Sequence, residues 1–133
     1  MTREEFRALT EKGTVLLDGG TGSCLRSMGM PAGVCTEQWV YEHPKAIKKL
    51  QTEYALAGSQ IIYAPTFGAN RISLGNVGLA DQAEELNRAL AARTVEHMGR
   101  RVLVAGDLST TGKPMEPYGP MTYDRLLEIY KEQ

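Results

Sequence analysis

Cysteines and long apolar runs are scarce in this chain, and each scarcity excludes a class of protein. The 133 residues include two cysteines, Cys24 and Cys35, which are too few for a disulfide framework and lack the C-x-x-C spacing of zinc sites. No apolar run approaches the roughly 20 residues that span a bilayer, and the charged first residues lack the apolar segment of a secretion signal. We therefore expect a cytoplasmic protein with reduced thiols that makes no contact with a membrane.

An excess of charge of either sign is also missing. The chain has 15 basic and 16 acidic residues, which gives a formal net charge of −1. This balance provides no basic surface for nucleic acid, so we expect no nucleic-acid partner. The hydrophobic content of 42% predicts a globular fold rather than a disordered chain, and the length fits one domain.

The stretch from Val15 to Gly22 predicts a short strand, an acid at its end and a glycine-rich turn. Three apolar residues without polar alternation are typical of a strand covered on both faces, as in parallel sheets. Asp18 would then lie at the carboxyl end of the strand, where α/β folds place their ligand sites. A carboxylate beside the open amides of Gly19 and Gly20 can hold both ends of a zwitterion. A tight turn capped by an aspartate has the same residues, and the pattern alone leaves both interpretations open.

The rest of the chain is organised as a leading helix followed by three strand–loop–helix units. Hydrophobic periodicity, capping residues and glycine stops predict helices at 2–12, 44–57, 81–98 and 122–133, and strands at 14–18, 60–64 and 102–105. Residues 22–42 have no clear period and are predicted to form a long functional loop, in which Trp39 either lines a pocket or anchors packing. Strands alternating with helices imply a parallel sheet.

Polar or glycine-rich residues follow each predicted strand rather than precede it. Asp18, Thr66 and Asp107 all hold such positions. In a (β/α)8 barrel the carboxyl ends of the strands form the catalytic face. Eight units of this size would need far more than 133 residues, so three units do not close a barrel.

Three motifs in register resemble the homocysteine S-methyltransferase family. They are the segments 17–22 (LDGGTG), 66–70 (TFGAN) and 106–112 (GDLSTTG), and the helix that begins at His43-Pro44 is similar as well. Within the family the likeness is greatest to the homocysteine-binding barrel of the cobalamin-dependent methionine synthase type. The resemblance implies that residues 1–133 are the N-terminal portion of a (β/α)8 barrel, its first three βα units after a leading helix.

The resemblance also implies a chemistry for the full-length parent enzyme. Members of the family bind homocysteine as a thiolate on a zinc ion held by three cysteines in later strands, and transfer a methyl group to it. The donor expected for the methionine synthase type is methylcobalamin or 5-methyltetrahydrofolate. Cys24 and Cys35 do not match the ligand motifs, so we expect no zinc, no cobalamin and no catalysis on this chain alone.

The family's amino-acid-holding residues can be carried over position by position. Asp18 resembles the acid that holds the homocysteine ammonium, and Gly19, Gly20 and Thr21 resemble the backbone donors near its carboxylate. The remaining matches are expected to form the pocket wall, and they are Thr66, Phe67, Gly68 and Asp107. For Asp107 a second interpretation stays open, in which its carboxylate only orders its own loop.

Three interpretations of function follow, together with one expected partner besides homocysteine. The first is the homocysteine-binding segment of a methionine synthase type enzyme. The second is a family member with another donor, S-methylmethionine or betaine, and the third is a non-catalytic binding or scaffold protein. Three parallel strands would leave two unpaired sheet edges, so we expect a homodimer or other self-association through the open barrel.

Overall fold

The computed structural model describes all 133 residues. Its helices are arranged around a short parallel sheet. The helices are α1 (Arg3–Thr10), α2 (Thr21–Ser27), α3 (Thr36–Glu42), α4 (Pro44–Leu56), α5 (Arg71–Gly75), α6 (Ala83–Met98) and α7 (Tyr123–Glu132). A 3-10 turn, Ala80–Gln82, leads into α6, and the strands are β1 (Ile61–Tyr63) and β2 (Leu103–Ala105). None of these helices has the length and apolar character needed to cross a bilayer.

The sheet has two strands and one isolated bridge, not the three strands expected from the sequence. Strands β1 and β2 run parallel, and Ile62 lies opposite Val104. The segment predicted as the first strand is reduced to a bridge between Leu17 and Ile61, on the side of β1 away from β2. Three backbone bonds hold it there. Asp18 N donates to Ile61 O at 3.1 Å, and Leu16 O accepts from Gln60 N at 2.8 Å and from Ile61 N at 3.2 Å.

The parallel ladder beside β1 ends at Asp18 for a local reason. The next hydrogen bond in the ladder would join the N–H of Tyr63 to the carbonyl of Asp18, but the Asp18 carboxylate accepts it instead, at 3.1 Å. The chain then turns through Gly19. The expectation of a strand covered on both faces is also wrong, because the side chains of Leu16 and Leu17 are 52% and 49% exposed.

Residues 22–42 form two short helices, which corrects the prediction of a long loop. The helices α2 and α3 have seven residues each. Each contributes a fully buried apolar side chain, Leu25 and Val40 respectively, to the main core. Trp39 packs against that core and its ring stacks on His43 with a centroid separation of 4.2 Å, which supports the packing interpretation.

The longer helices begin where their capping residues predict. Thr2 forms the capping box with Glu5, Pro44 is the first residue of α4, and Thr122 accepts a hydrogen bond from Arg125 N at the start of α7. The start of α6 differs from the prediction, because the 3-10 turn replaces a cap by Asp81.

The main core lies between α2, α3, α4 and α6. Its buried members are Leu25, Met30, Val40, Ile47, Leu50 and Leu90. A second cluster lies under α5 and the start of α6 and consists of Ala69, Leu74, Ala83 and Leu86. Tyr41 of α3 packs against both clusters, so α3 links the two parts of the core.

Candidate functional site

Hydrogen bonds join the three turns that follow the strand segments. The Asp18 carboxylate accepts from Tyr63 N at the end of β1. Thr66 and Asp107 are joined twice, because the Thr66 hydroxyl donates to Asp107 O at 2.9 Å and accepts from Asp107 N at 3.0 Å. Ser109 N donates to Phe67 O at 3.1 Å. The turns after the first segment, β1 and β2 therefore form one connected surface.

A cavity of about 330 Å³ opens at this surface. It is lined by Asp18, Gly19, Thr21, Gly22, Thr36, Glu37, Tyr63, Ala64, Pro65, Phe67 and Asp107. Five of the eight residues predicted from the sequence are among them, namely Asp18, Gly19, Thr21, Phe67 and Asp107. A volume of this size suits a small metabolite rather than a macromolecule.

The other three predicted site residues lie beside the cavity rather than on its wall. Gly20 is the residue before α2, and its carbonyl accepts from Cys24 N. Thr66 is buried and its hydroxyl is occupied by the backbone of Asp107. Gly68 donates its N–H to a carboxylate of α3. Thr66 and Gly68 thus shape the cavity through other residues.

The cavity is lined by acidic side chains, and the surroundings of two of them raise their pKa values. Burial raises the pKa of Asp18, the hydrogen bond from Tyr63 N opposes this rise, and the nearby charge of Asp107 adds to it. Burial likewise raises the pKa of Asp107. No lysine, arginine or histidine lines the cavity. A ligand that brings a cationic group is therefore favoured.

The glycine turn presents open backbone donors next to Asp18. The N–H groups of Gly19, Gly20 and Thr21 have no hydrogen-bond partner within the protein. A Cβ atom at Gly19 would lie 2.9 Å from the hydroxyl oxygen of Tyr54, so the close approach of α4 requires glycine there. The turn thus combines a carboxylate with free amides, as the sequence predicts.

Glu37 is the charged residue among the six cavity-lining residues that sequence reasoning missed. Its side chain is 7% exposed, it lines the cavity, and its Oε1 accepts from Gly68 N at 2.6 Å. The partner lies 31 residues further along the chain. No local pattern marks such a contact, and Glu37 lies inside the segment that the sequence predicts as a long functional loop.

The cysteines of this chain do not fit a zinc site. The sulfur of Cys24 lies 3.5 Å from the hydroxyl oxygen of Tyr54, and that of Cys35 donates to Glu37 Oε2 at 3.4 Å. Burial raises the pKa of Cys35, which disfavours the thiolate that zinc binds. No three His, Cys, Asp or Glu side chains are grouped so that they could hold a metal ion. We therefore derive no chemical step through zinc on these residues.

Parallel strands whose carboxyl ends share a cavity are typical of α/β domains, in which barrels and open sheets alike bind ligands at this edge. Comparison with known proteins agrees and is more specific. The homocysteine S-methyltransferase family profile matches residues 15–133, and the chain belongs to this family.

Curated relatives include the betaine–homocysteine S-methyltransferases 1 of Danio rerio and Sus scrofa. Each is 36% identical to this chain over 73% of its length. The match covers 25% of the fish protein and 37% of the pig protein, so the chain spans a quarter to somewhat over a third of these relatives. The resemblance to the family is confirmed, whereas the comparisons do not specifically support the methionine synthase type.

Solved structures show the same fold. The metallated form of the homocysteine methyltransferase MmuM from Escherichia coli superimposes with a TM-score of 0.61 at 22% identity. The match covers 80% of this chain and 41% of that one. At this identity the likeness concerns the fold, and it makes the chain an α/β fragment that corresponds to part of a (β/α)8 domain.

Proposed function

We propose that this chain forms the homocysteine-holding portion of a homocysteine S-methyltransferase. The observation that carries the proposal is the pairing, at one small cavity, of the Asp18 carboxylate with the free N–H groups of Gly19 and Thr21. An ammonium and a carboxylate on one carbon need such a pairing. Asp107 lies on the same cavity and adds negative charge, which supports the expectation that it belongs to the pocket wall.

The role proposed for the chain is binding and positioning, since thiol activation needs residues that it does not contain. The parent protein would transfer a methyl group to the homocysteine sulfur, and zinc ligands outside these residues would lower the pKa of the thiol. Asp18 and the glycine turn would fix the amino-acid end, so that the sulfur points to a constant place. We expect no methyl transfer by the chain alone.

For the methyl donor we propose an onium compound such as betaine. The curated relatives named above carry betaine in their names, and the family profile alone does not separate donors. The cavity supports the proposal, because it has three carboxylates, no basic side chain and the 60% exposed ring of Phe67. A quaternary ammonium is attracted by carboxylates and by aromatic faces. No observation specifically favours methylcobalamin or 5-methyltetrahydrofolate.

Calorimetric titration with L-homocysteine and two analogues tests the amino-acid site. The analogues are 4-mercaptobutyrate, which lacks the ammonium, and 3-aminopropanethiol, which lacks the carboxylate. We expect each to bind at least about tenfold more weakly than homocysteine, because each leaves one half of the site unpaired. Equal binding of all three thiols, or no binding of homocysteine, would contradict the proposal and favour the scaffold interpretation.

A further inference from the structure

Glu37 is a buried acid without a cationic partner. Its side chain is 7% exposed, and none of the salt bridges in the structure includes it. A buried carboxylate is costly unless strong donors compensate it. Its donors are Gly68 N at 2.6 Å and the weaker thiol of Cys35 at 3.4 Å.

The contact with Gly68 is a fixed one. A Cβ atom at Gly68 would lie 2.9 Å from Glu37 Oε1 and 3.3 Å from its Cδ. The carboxylate therefore occupies the space that any other residue at position 68 would need. This charge-assisted bond joins α3 to the turn after β1, beside the packing of Tyr41 against the cluster that contains Ala69.

The same turn carries two further contacts of the cavity. Phe67 lines the cavity beside Gly68, and its carbonyl accepts from Ser109 N in the turn after β2. Thr66 is joined to Asp107 by two hydrogen bonds. A displacement of Gly68 would thus move the Phe67 wall and would be passed on to Asp107.

We propose that Glu37 is a positioning residue of the homocysteine site, which clamps the turn 66–68 to α3 and so sets the part of the cavity wall that Phe67 forms. This inference rests on the proposed function for its ligand, but the clamp itself is a property of the unliganded chain. Glu37 acts through Gly68 and Phe67 rather than by contact with the amino acid. The charge of Glu37 matters less than the presence of an acceptor oxygen at its place.

Binding by three variants tests the inference. Glu37→Ala removes the acceptor and should weaken homocysteine binding by about tenfold or more. Glu37→Gln keeps an oxygen for Gly68 N and should stay within about twofold of the unaltered chain. Glu42→Ala removes an exposed carboxylate from the same helix and should change nothing. If Glu37→Gln binds as weakly as Glu37→Ala, the charge itself is needed and the positioning role is wrong.

Amide hydrogen exchange separates failure of the clamp from failure of the proposed function. The Gly68 amide should be protected in the unaltered chain and in Glu37→Gln, and it should exchange rapidly in Glu37→Ala. If homocysteine does not bind even to the unaltered chain, the proposed function is wrong. The exchange rate of the Gly68 amide still shows in that case whether Glu37 holds the turn. A protected Gly68 amide in Glu37→Ala would overturn the inference. If Glu37→Ala does not fold, Gly68→Ala disrupts the same contact from the side of the turn. That variant should bind homocysteine more weakly, and its Ser109 amide should exchange faster.

Discussion

The Asp18 side chain contributes both to the fold and to the candidate ligand site. Its carboxylate accepts from Tyr63 N, which ends the parallel ladder, and it also faces the cavity. Burial raises its pKa, so ionisation of Asp18 costs more in the folded chain than in the unfolded one. A ligand ammonium would offset that cost. Stability and binding therefore make opposite demands on this residue.

The first prediction is that Asp18→Asn stabilises the chain but impairs binding. An acid whose pKa is raised on folding adds stability below its unfolded value, near 3.8, and loses it as the pH rises through the folded pKa. Asparagine keeps an acceptor for Tyr63 N without this loss, so the melting temperature should exceed that of the unaltered chain at about pH 7 and match it below about pH 4. Homocysteine binding should fall by roughly ten- to a hundredfold, because a hydrogen bond to a charged group is lost.

Thermal melts at both pH values and calorimetric titration check this prediction. Glu42→Gln serves as the control, because that carboxylate is exposed and lies outside the cavity. A lower melting temperature of Asp18→Asn at neutral pH would show that the carboxylate mainly serves the fold.

The second prediction concerns the two cysteines. The chain should not retain stoichiometric zinc after dialysis, because Cys24 and Cys35 lie in separate environments and no third ligand joins them. Metal analysis by mass spectrometry measures this, and the Cys24→Ser and Cys35→Ser variants show which thiol holds any metal found. One tightly bound zinc per chain, lost in either variant, would disprove our description of the site.

At the scale of elements, a helix can be predicted from the sequence when it is long enough to repeat its buried apolar positions. The helices α4, α6 and α7 have at least ten residues and repeat their apolar positions, and all three are predicted to within a few residues. The helices α2, α3 and α5 have five to seven residues and one or two buried positions each, which leaves no period to recognise. Contacts with the core form them, and such contacts cannot be seen in the sequence.

The third prediction compares two helix caps of the same chemistry. Thr122 caps α7, whose Ile129 is 1% exposed, whereas Thr2 caps α1, which has no buried residue. Replacing Thr122 by alanine should lower the free energy of unfolding by about 1 kcal/mol, because the capping bond supports a helix docked on the core. Replacing Thr2 by alanine should fray α1 with a much smaller effect on global unfolding.

Urea denaturation followed by circular dichroism distinguishes the two variants. Further contacts hold α7 in place, since Arg71 pairs with Glu132 and the hydroxyl of Tyr130 donates to Ser109 O at 2.8 Å. Equal losses in the two cap variants would mean that α1 contributes to the cooperative unit despite its exposure.

At the scale of the whole molecule, the sequence predicts the parallel α/β order, but not the state of the sheet. The order of elements and the glycine motifs are local, and both are found in the structure. Whether a strand is covered depends on neighbours in space. The first predicted strand lacks such neighbours, and its Leu16 and Leu17 are half exposed. The barrel was expected from the family resemblance, and of its strands these residues form two parallel ones and the bridge between Leu17 and Ile61.

The fourth prediction is that the chain self-associates through its open sheet. Strand β2 is paired on one side only, and large apolar side chains stay exposed along the strand segments and the turns that follow them, namely Leu16, Leu17, Phe67 and Leu108. Unpaired edges and apolar patches both favour association, and a twofold dimer is the simplest arrangement that buries them. An interface of this kind should bury on the order of 2,000 Å² in total. Leu17→Lys should give a folded monomer, because its side chain is 49% exposed and outside the core clusters.

Light scattering coupled to size exclusion at tens of micromolar decides the fourth prediction. The control is Tyr118→Lys, which changes an apolar side chain that is 90% exposed in the loop before α7 and should leave the dimer intact. Because both variants add one positive charge, a difference between them locates the interface rather than reporting net charge. A well-folded monomer of the unaltered chain would show that the exposed edge and leucines are tolerated in water, and the proposed association would then be wrong.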